Sequence, residues 1–109
     1  MKICLSSTGN NLDSPVDPRF GRAQYFLIVD SESLQFEAIP NQGMGMARGA
    51  GIAAAQMIAS SGTQAIITGN MGPNAFMALQ GSGIKIFGGV FGFDLRDDDF
   101  DRHRFSHLL

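Results

Sequence analysis

The chain holds few residues able to build a covalent or metal-tied framework. Among 109 residues there is one cysteine, Cys4, and no tryptophan. A lone thiol cannot close an internal disulfide, and inside the apolar opening MKICL it reads as buried and inert rather than as a ligand. Histidine is absent before His103 and His107. Spaced four apart, these two would share a face if their segment were helical, but among arginines and aspartates they read as solvated side chains. Long hydrophobic runs are missing too: no stretch approaches the ~18 apolar residues of a spanning helix. The N-terminus lacks the basic-then-apolar pattern of a secretory signal. The expected compartment is the cytoplasm, with no membrane partner. A net charge of only -2 gives no field that would draw nucleic acid.

What charge there is divides unevenly. From Asp94 onward there are five aspartates (94, 97, 98, 99, 101) and three arginines (96, 102, 104), 3 − 5 = −2, so the tail carries the whole net charge. Residues 1–93 balance, and with 44% hydrophobic content across the chain they are expected to form one domain with an ordinary core. Residues 94–109 read as a polar extension, expected to be flexible.

Within the body, apolar runs of strand length occur at Lys2 to Leu5, Tyr25 to Val29 and Gln64 to Thr68, with shorter ones at Phe36 to Ile39 and Ile84 to Phe87. The turn signal Asp30-Ser31-Glu32-Ser33 predicts an antiparallel hairpin between the second and third strands. GAGIAAAQMIASSG is alanine-rich and stops at Gly62, which predicts an amphipathic helix turning Ile52, Ala55, Ile58 and Ala59, with Met57 less well placed, toward the core. GPNAFMALQGSG repeats the arrangement, with Pro73 in the first turn and an inward stripe of Ala75, Phe76 and Leu79. The order β-β-β-α-β-α-β follows: an α/β protein whose five-stranded sheet is mixed, a meander at one edge and parallel strands at the other.

Open sheets of this kind bind ligands beyond the carboxyl ends of their parallel strands. Two glycine-rich turns are expected there, NQGMGMARGAG and TGNMGPN, each presenting main-chain N–H groups at a helix start where an anion is favoured. Arg48 falls at one of these mouths, and Arg19 and Arg22 flank a third glycine segment, DPRFGRA. If that loop folds over the same end, three guanidinium groups surround one anion. The structural alternative is that each arginine is solvated or paired with a carboxylate such as Asp17 or Asp30, and that the glycines only cap and turn. Met44 and Met46 lie in a glycine-rich loop away from any expected core, as a flexible hydrophobic lid.

DPRFGRAQYFLIVD together with GAGIAAAQMIASSGTQAIITGNMGPNAFMALQGSGIKIF resembles the dinitrogenase iron-molybdenum cofactor biosynthesis family, of the NifX and NifB carboxy-terminal type, over nearly all of residues 1–92. The matching motifs are Phe20 to Ala23, Gly49 to Gly51, Gly69 to Ala75 and Gly83 to Lys85. The resemblance implies a ribonuclease H-like α/β sheet and a non-catalytic carrier, within cofactor assembly for nitrogen fixation. Its cargo would be an iron-sulfur or iron-molybdenum cluster passed between donor and acceptor proteins. It places cluster contacts at Arg19, Phe20, Gly21, Arg22, Arg48, Gly49, Gly51, Gly69, Asn70, Gly72 and Asn74, and leaves direct metal ligands unassigned. Members with a histidine in the first loop carry it at about the place of Arg19. The alternative from the residues alone is a module for a small anion or a protein partner, without a cluster. A nuclease is disfavoured: two-metal cleavage needs clustered carboxylates, and Asp13, Asp17, Asp30 and Glu32 are scattered in loops.

Overall fold

The computed structural model describes residues 1–89. The expectations for residues 94–109, including the His103 and His107 pair, lie outside the described residues. The strands are β1 (Lys2–Ser7), β2 (Tyr25–Asp30), β3 (Phe36–Pro40), β4 (Ala65–Ile67) and β5 (Lys85–Phe87), and the helices are α1 (Ala50–Ala59) and α2 (Pro73–Leu79). They follow the expected order and form one sheet arranged β3-β2-β1-β4-β5. β1 pairs antiparallel with β2 and parallel with β4, so the central strand joins the meander to the parallel half. β2–β3 is the antiparallel hairpin, and β4–β5 is parallel. This mixed layout is compatible with a ribonuclease H-like sheet.

β4 is buried on both faces and β1 is buried beyond Lys2, which explains their unbroken apolar runs. Cys4, Phe26, Ile28 and Ile66 point to the face covered by α1 and α2, where they meet Ala54, Ala55, Ile58, Ala75 and Leu79. Ile3, Leu5, Leu27, Val29, Ala65 and Ile67 form the other face, joined by Leu12 and Val16 from the loop after β1.

The helix faces differ in part from the sequence expectation. α1 buries Ala50, Ala54, Ala55 and Ile58, spaced four, one and three, while Ile52 and Ala59 are exposed. α2 buries Ala75 and Leu79 and leaves Phe76 46% exposed. The cause is close approach. Alanine at the contact brings α1 onto the sheet, and Gly51 lets α2 in, since a Cβ there would sit 3.3 Å from that of Ala75. The narrow seam selects small residues, and the larger side chains rotate outward. A turn of 3-10 helix, Gln42–Gly45, was not anticipated; Asn41 caps it by accepting the Gly43 N–H at 3.1 Å.

Candidate functional site

The parallel strands β1 and β4 each end in a hydroxyl residue, Ser6 just inside the end of β1 and Thr68 just beyond β4. The two hydroxyls lie 2.7 Å apart and are buried. Ser6 gives its only hydroxyl proton to the Asp17 carbonyl at 2.8 Å, so Thr68 donates to Ser6. The Asp17 N–H returns to the Ser6 carbonyl at 2.8 Å. By these bonds the DPRFGRA loop is tied across the carboxyl ends of the strands.

The same loop is then pressed onto the β4–α2 turn. Asn70 donates to the Pro18 carbonyl at 2.7 Å, Phe20 donates to the Asn70 carbonyl at 3.1 Å, and Arg19 and Asn70 pair as a parallel bridge. Gly69 allows this approach, because a Cβ on it would lie 2.5 Å from the Pro18 Cα. At its far end the loop meets α1: a Cβ on Gly21 would lie 2.8 Å from the Gly51 Cα and N. Asn41 fastens it from the side, donating to the carbonyls of Gly21 at 2.9 Å and Ala23 at 2.8 Å. The segments around Arg19, Gly49 and Asn70 therefore converge at one end of the sheet.

The individual residues take different parts. Arg19, Arg22 and Arg48 are all exposed. Arg22 Nη1 donates to the Met46 carbonyl at 2.6 Å, which lays it along the segment carrying Arg48. Met46 is exposed, as a loop position without core predicts. Arg19 Nε reaches Asp17 Oδ1 at 3.3 Å while its side chain stays 62% exposed, so the expected pairing with a nearby carboxylate occurs for this arginine with Asp17. Asp30 instead caps its own hairpin. Phe20 is buried against Phe26, ring centroids 5.2 Å apart, and acts as a core anchor worth about 2–3 kcal/mol of burial. Gly49 starts α1 at a left-handed φ of 76°, a conformation that suits glycine. Gly72, the N-cap of α2, and Asn74 are exposed, but with seven residues α2 offers only a short dipole.

The donor set suits an anion rather than a metal ion. Cys4 is fully buried and burial pushes its thiol well above the usual range, which disfavours the thiolate that a nucleophile or metal ligand needs. Among the described residues no three of His, Cys, Asp and Glu come together. A cavity of about 420 Å³ is bounded by Asn41, Met46 and Met57, and Met46 is the residue whose carbonyl accepts from Arg22. A larger one of about 660 Å³ lies between α2 and β5, and the described residues that line it, among them Phe76, Leu79, Ile84 and Ile86, include no charged side chain. Asn41, Ser6 and Thr68 were absent from the sequence expectation, although a hydroxyl residue closing an apolar parallel strand is a signal that it could have used.

The family model for dinitrogenase iron-molybdenum cofactor matches residues 1–96. The chain belongs to this family. An uncharacterised relative from Methanocaldococcus jannaschii is 36% identical over 90 residues, covering 80% of this chain and 73% of the relative. Among solved structures, the apo form of the orange protein from Desulfovibrio gigas is similar at 38% identity and a TM-score of 0.83, covering 98% of this chain and 85% of that one. A NifB-like protein from Thermotoga is similar at 36% identity and a TM-score of 0.71, covering 84% and 78%. Three of the motif glycines, Gly21, Gly51 and Gly69, are residues that let these segments touch.

Proposed function

We propose that the protein is a non-catalytic carrier for an anionic iron-sulfur or iron-molybdenum cluster, which it receives from a donor protein and passes to an acceptor. The observation that supports this reading is the convergence of the loop bearing Arg19 and Arg22 with the glycine turns at the carboxyl end of β1 and β4, where Arg22 reaches the Met46 carbonyl two residues before Arg48 and all three arginines are exposed. Arg19, Arg22 and Arg48 hold the cargo as an anion, aided by main-chain N–H groups at the start of α1. Gly21, Gly51 and Gly69 keep the loops close enough for this, and Phe20 roots the arginine loop in the core. The Asn70 backbone locks the loop in place, while Gly49, Gly72 and Asn74 form the rim. With no exposed thiol or imidazole among the described residues, the metals keep their own ligands. An acceptor that offers thiolates or imidazoles takes the cluster without displacing a protein side chain. Family membership and the likeness to the orange protein and the NifB-like protein support the cluster as cargo. Within the described residues no helix is long and apolar enough to cross a membrane. The working compartment we propose is the cytoplasm.

Anaerobic reconstitution with a cluster donor, followed by absorption spectroscopy, tests the reading. Arg22→Ala and Arg48→Ala should each weaken capture by about tenfold or more, the worth of one charge-assisted hydrogen bond. The lysine variants should recover part of the loss, since a point charge lacks the planar fork. Melting temperatures should barely move, because exposed arginines contribute little to folding. Unchanged capture together with a large fall in melting temperature would assign these arginines to the fold and remove the proposed site.

A further inference from the structure

Asp17 is 1% exposed, yet its carboxylate is only half used. Oδ1 accepts the Arg19 N–H at 2.9 Å and Nε at 3.3 Å. Oδ2 is buried and has no hydrogen-bond partner among the described residues. A buried carboxylate oxygen without a donor is costly, so the charge calls for a reason beyond shape. The turn does not require it: an amide or hydroxyl oxygen caps the N–H two residues on in the same way. The Arg19 guanidinium does not require it either, its side chain being mostly exposed and reaching Asp17 by one long contact. In its contact with Arg19 the carboxylate places a negative charge, screened little by salt, at the buried root of the loop that carries Arg19 and Arg22.

We propose that Asp17 is a release element: its buried charge opposes an anionic cargo in proportion to the cargo's own charge, and so keeps the site from becoming a trap. The inference rests on the carrier reading above. A carrier must let go, and a fixed negative charge under a cationic rim lowers affinity without removing any contact that guides the anion in. If Asp17 served only to position Arg19, its neutralisation would loosen the guanidinium and weaken binding. The two roles therefore predict opposite signs.

The test uses Asp17→Asn, which retains an Oδ1 acceptor for the Arg19 N–H, and Asp17→Ser, which retains a hydroxyl. Wild type and both variants are titrated calorimetrically with perrhenate and molybdate, tetrahedral oxyanions of similar size bearing one and two negative charges. Affinity should rise in the variants by on the order of tenfold per unit of ligand charge, so that molybdate gains more than perrhenate. Thermal melts should show stability unchanged or increased. Weaker binding in the variants, or an equal gain for both anions, would overturn the release role. Wild-type protein that takes up neither oxyanion also overturns it, while cluster uptake in the reconstitution decides the carrier reading separately. Loss of cooperative unfolding in both variants would assign Asp17 to the fold and end the proposal.

Discussion

The two ends of the sheet are closed by polar contacts of different reach. At the end remote from the arginines, the side-chain caps are local to each turn, and the long contacts are those that extend the strand ladder: Lys2 N–H to Gln64 Oε1 at 3.3 Å, and main-chain bonds from Ser31 to Met1, Gln64 to Lys2 and Lys85 to Gln64. Asp30 caps the N–H groups of Glu32 and Ser33, Ser61 donates to the Ile58 carbonyl, and Ser82 donates to that of Leu79. At the arginine end the bonds span long stretches of chain: Ser6 to Thr68, Asn41 to Gly21 and Ala23, Arg22 to Met46, and Pro18 to Asn70. The far end is a set of locally capped turns joined through the strand ladder, whereas the near end is one structure made of three loops tied to one another. Such an end holds several side chains in fixed relation, which a binding site needs and a turn does not.

The sharpest way to break this contrast is to add one methyl group at each end. Gly69→Ala would push a Cβ into the Pro18 backbone, where no flexible side chain can yield. It should destabilise the protein by about 3 kcal/mol or more and separate the DPRFGRA loop from the β4–α2 turn. Gly81→Ala at the other end meets nothing within 4 Å and suffers only from its φ of 82°. Its expected cost is about 1 kcal/mol. Chemical denaturation measures both, and equal costs would show that the loops at the arginine end are not held in contact.

Polar deletions should follow the same order with smaller size. Asn41→Ala removes two donors from the carbonyls of Gly21 and Ala23 and the cap on Gly43, at a cost of about 2–4 kcal/mol. It should also weaken anion capture, since the loop bearing Arg22 loses its lateral anchor. Ser61→Ala removes two local bonds, to the Ile58 carbonyl and with the Thr63 hydroxyl, and about 1–2 kcal/mol is expected with capture unchanged. Binding that falls equally in both variants would mean that capture follows overall stability rather than the near-end network.

The same division explains what could be read from the sequence. The strands, the hairpin and both helices declare themselves through local patterns: apolar runs, Asp30-Ser31-Glu32-Ser33, and Pro73 at a helix start. Glycine motifs marked where the three loops meet, because close approach leaves a mark at the residue that permits it. Asn41 left no mark, since a buried amide bridging to residues 18 and 20 positions earlier looks like any turn asparagine. Ile52 and Phe76 were assigned to the core by periodicity alone, and the tight alanine and glycine seam between α1 and α2 turned them outward. The unused oxygen of Asp17 has no sequence signature, because it depends on what surrounds the side chain.

The smallest expected effect isolates the local cap of the far end. Hydrogen bonds from the Ser33 and Glu32 N–H groups hold the Asp30 carboxyl below its ordinary value of 3.8. A carboxyl whose value is depressed on folding contributes stability that is present above the unfolded value and lost as pH falls through the folded one. Asp30→Asn keeps an Oδ1 acceptor but cannot titrate. The stability difference between wild type and this variant, followed by urea denaturation, should be constant above about pH 5 and shift against the wild type on acidification toward about pH 2. The change should be slight, because the group is solvent-exposed and its charge well hydrated. Molybdate affinity at neutral pH should be the same in both proteins. A difference that does not vary with pH would remove the charge from the account of this turn. An altered molybdate affinity would show that the hairpin end communicates with the arginine end, and that the two ends are not the separate structures their hydrogen bonds describe.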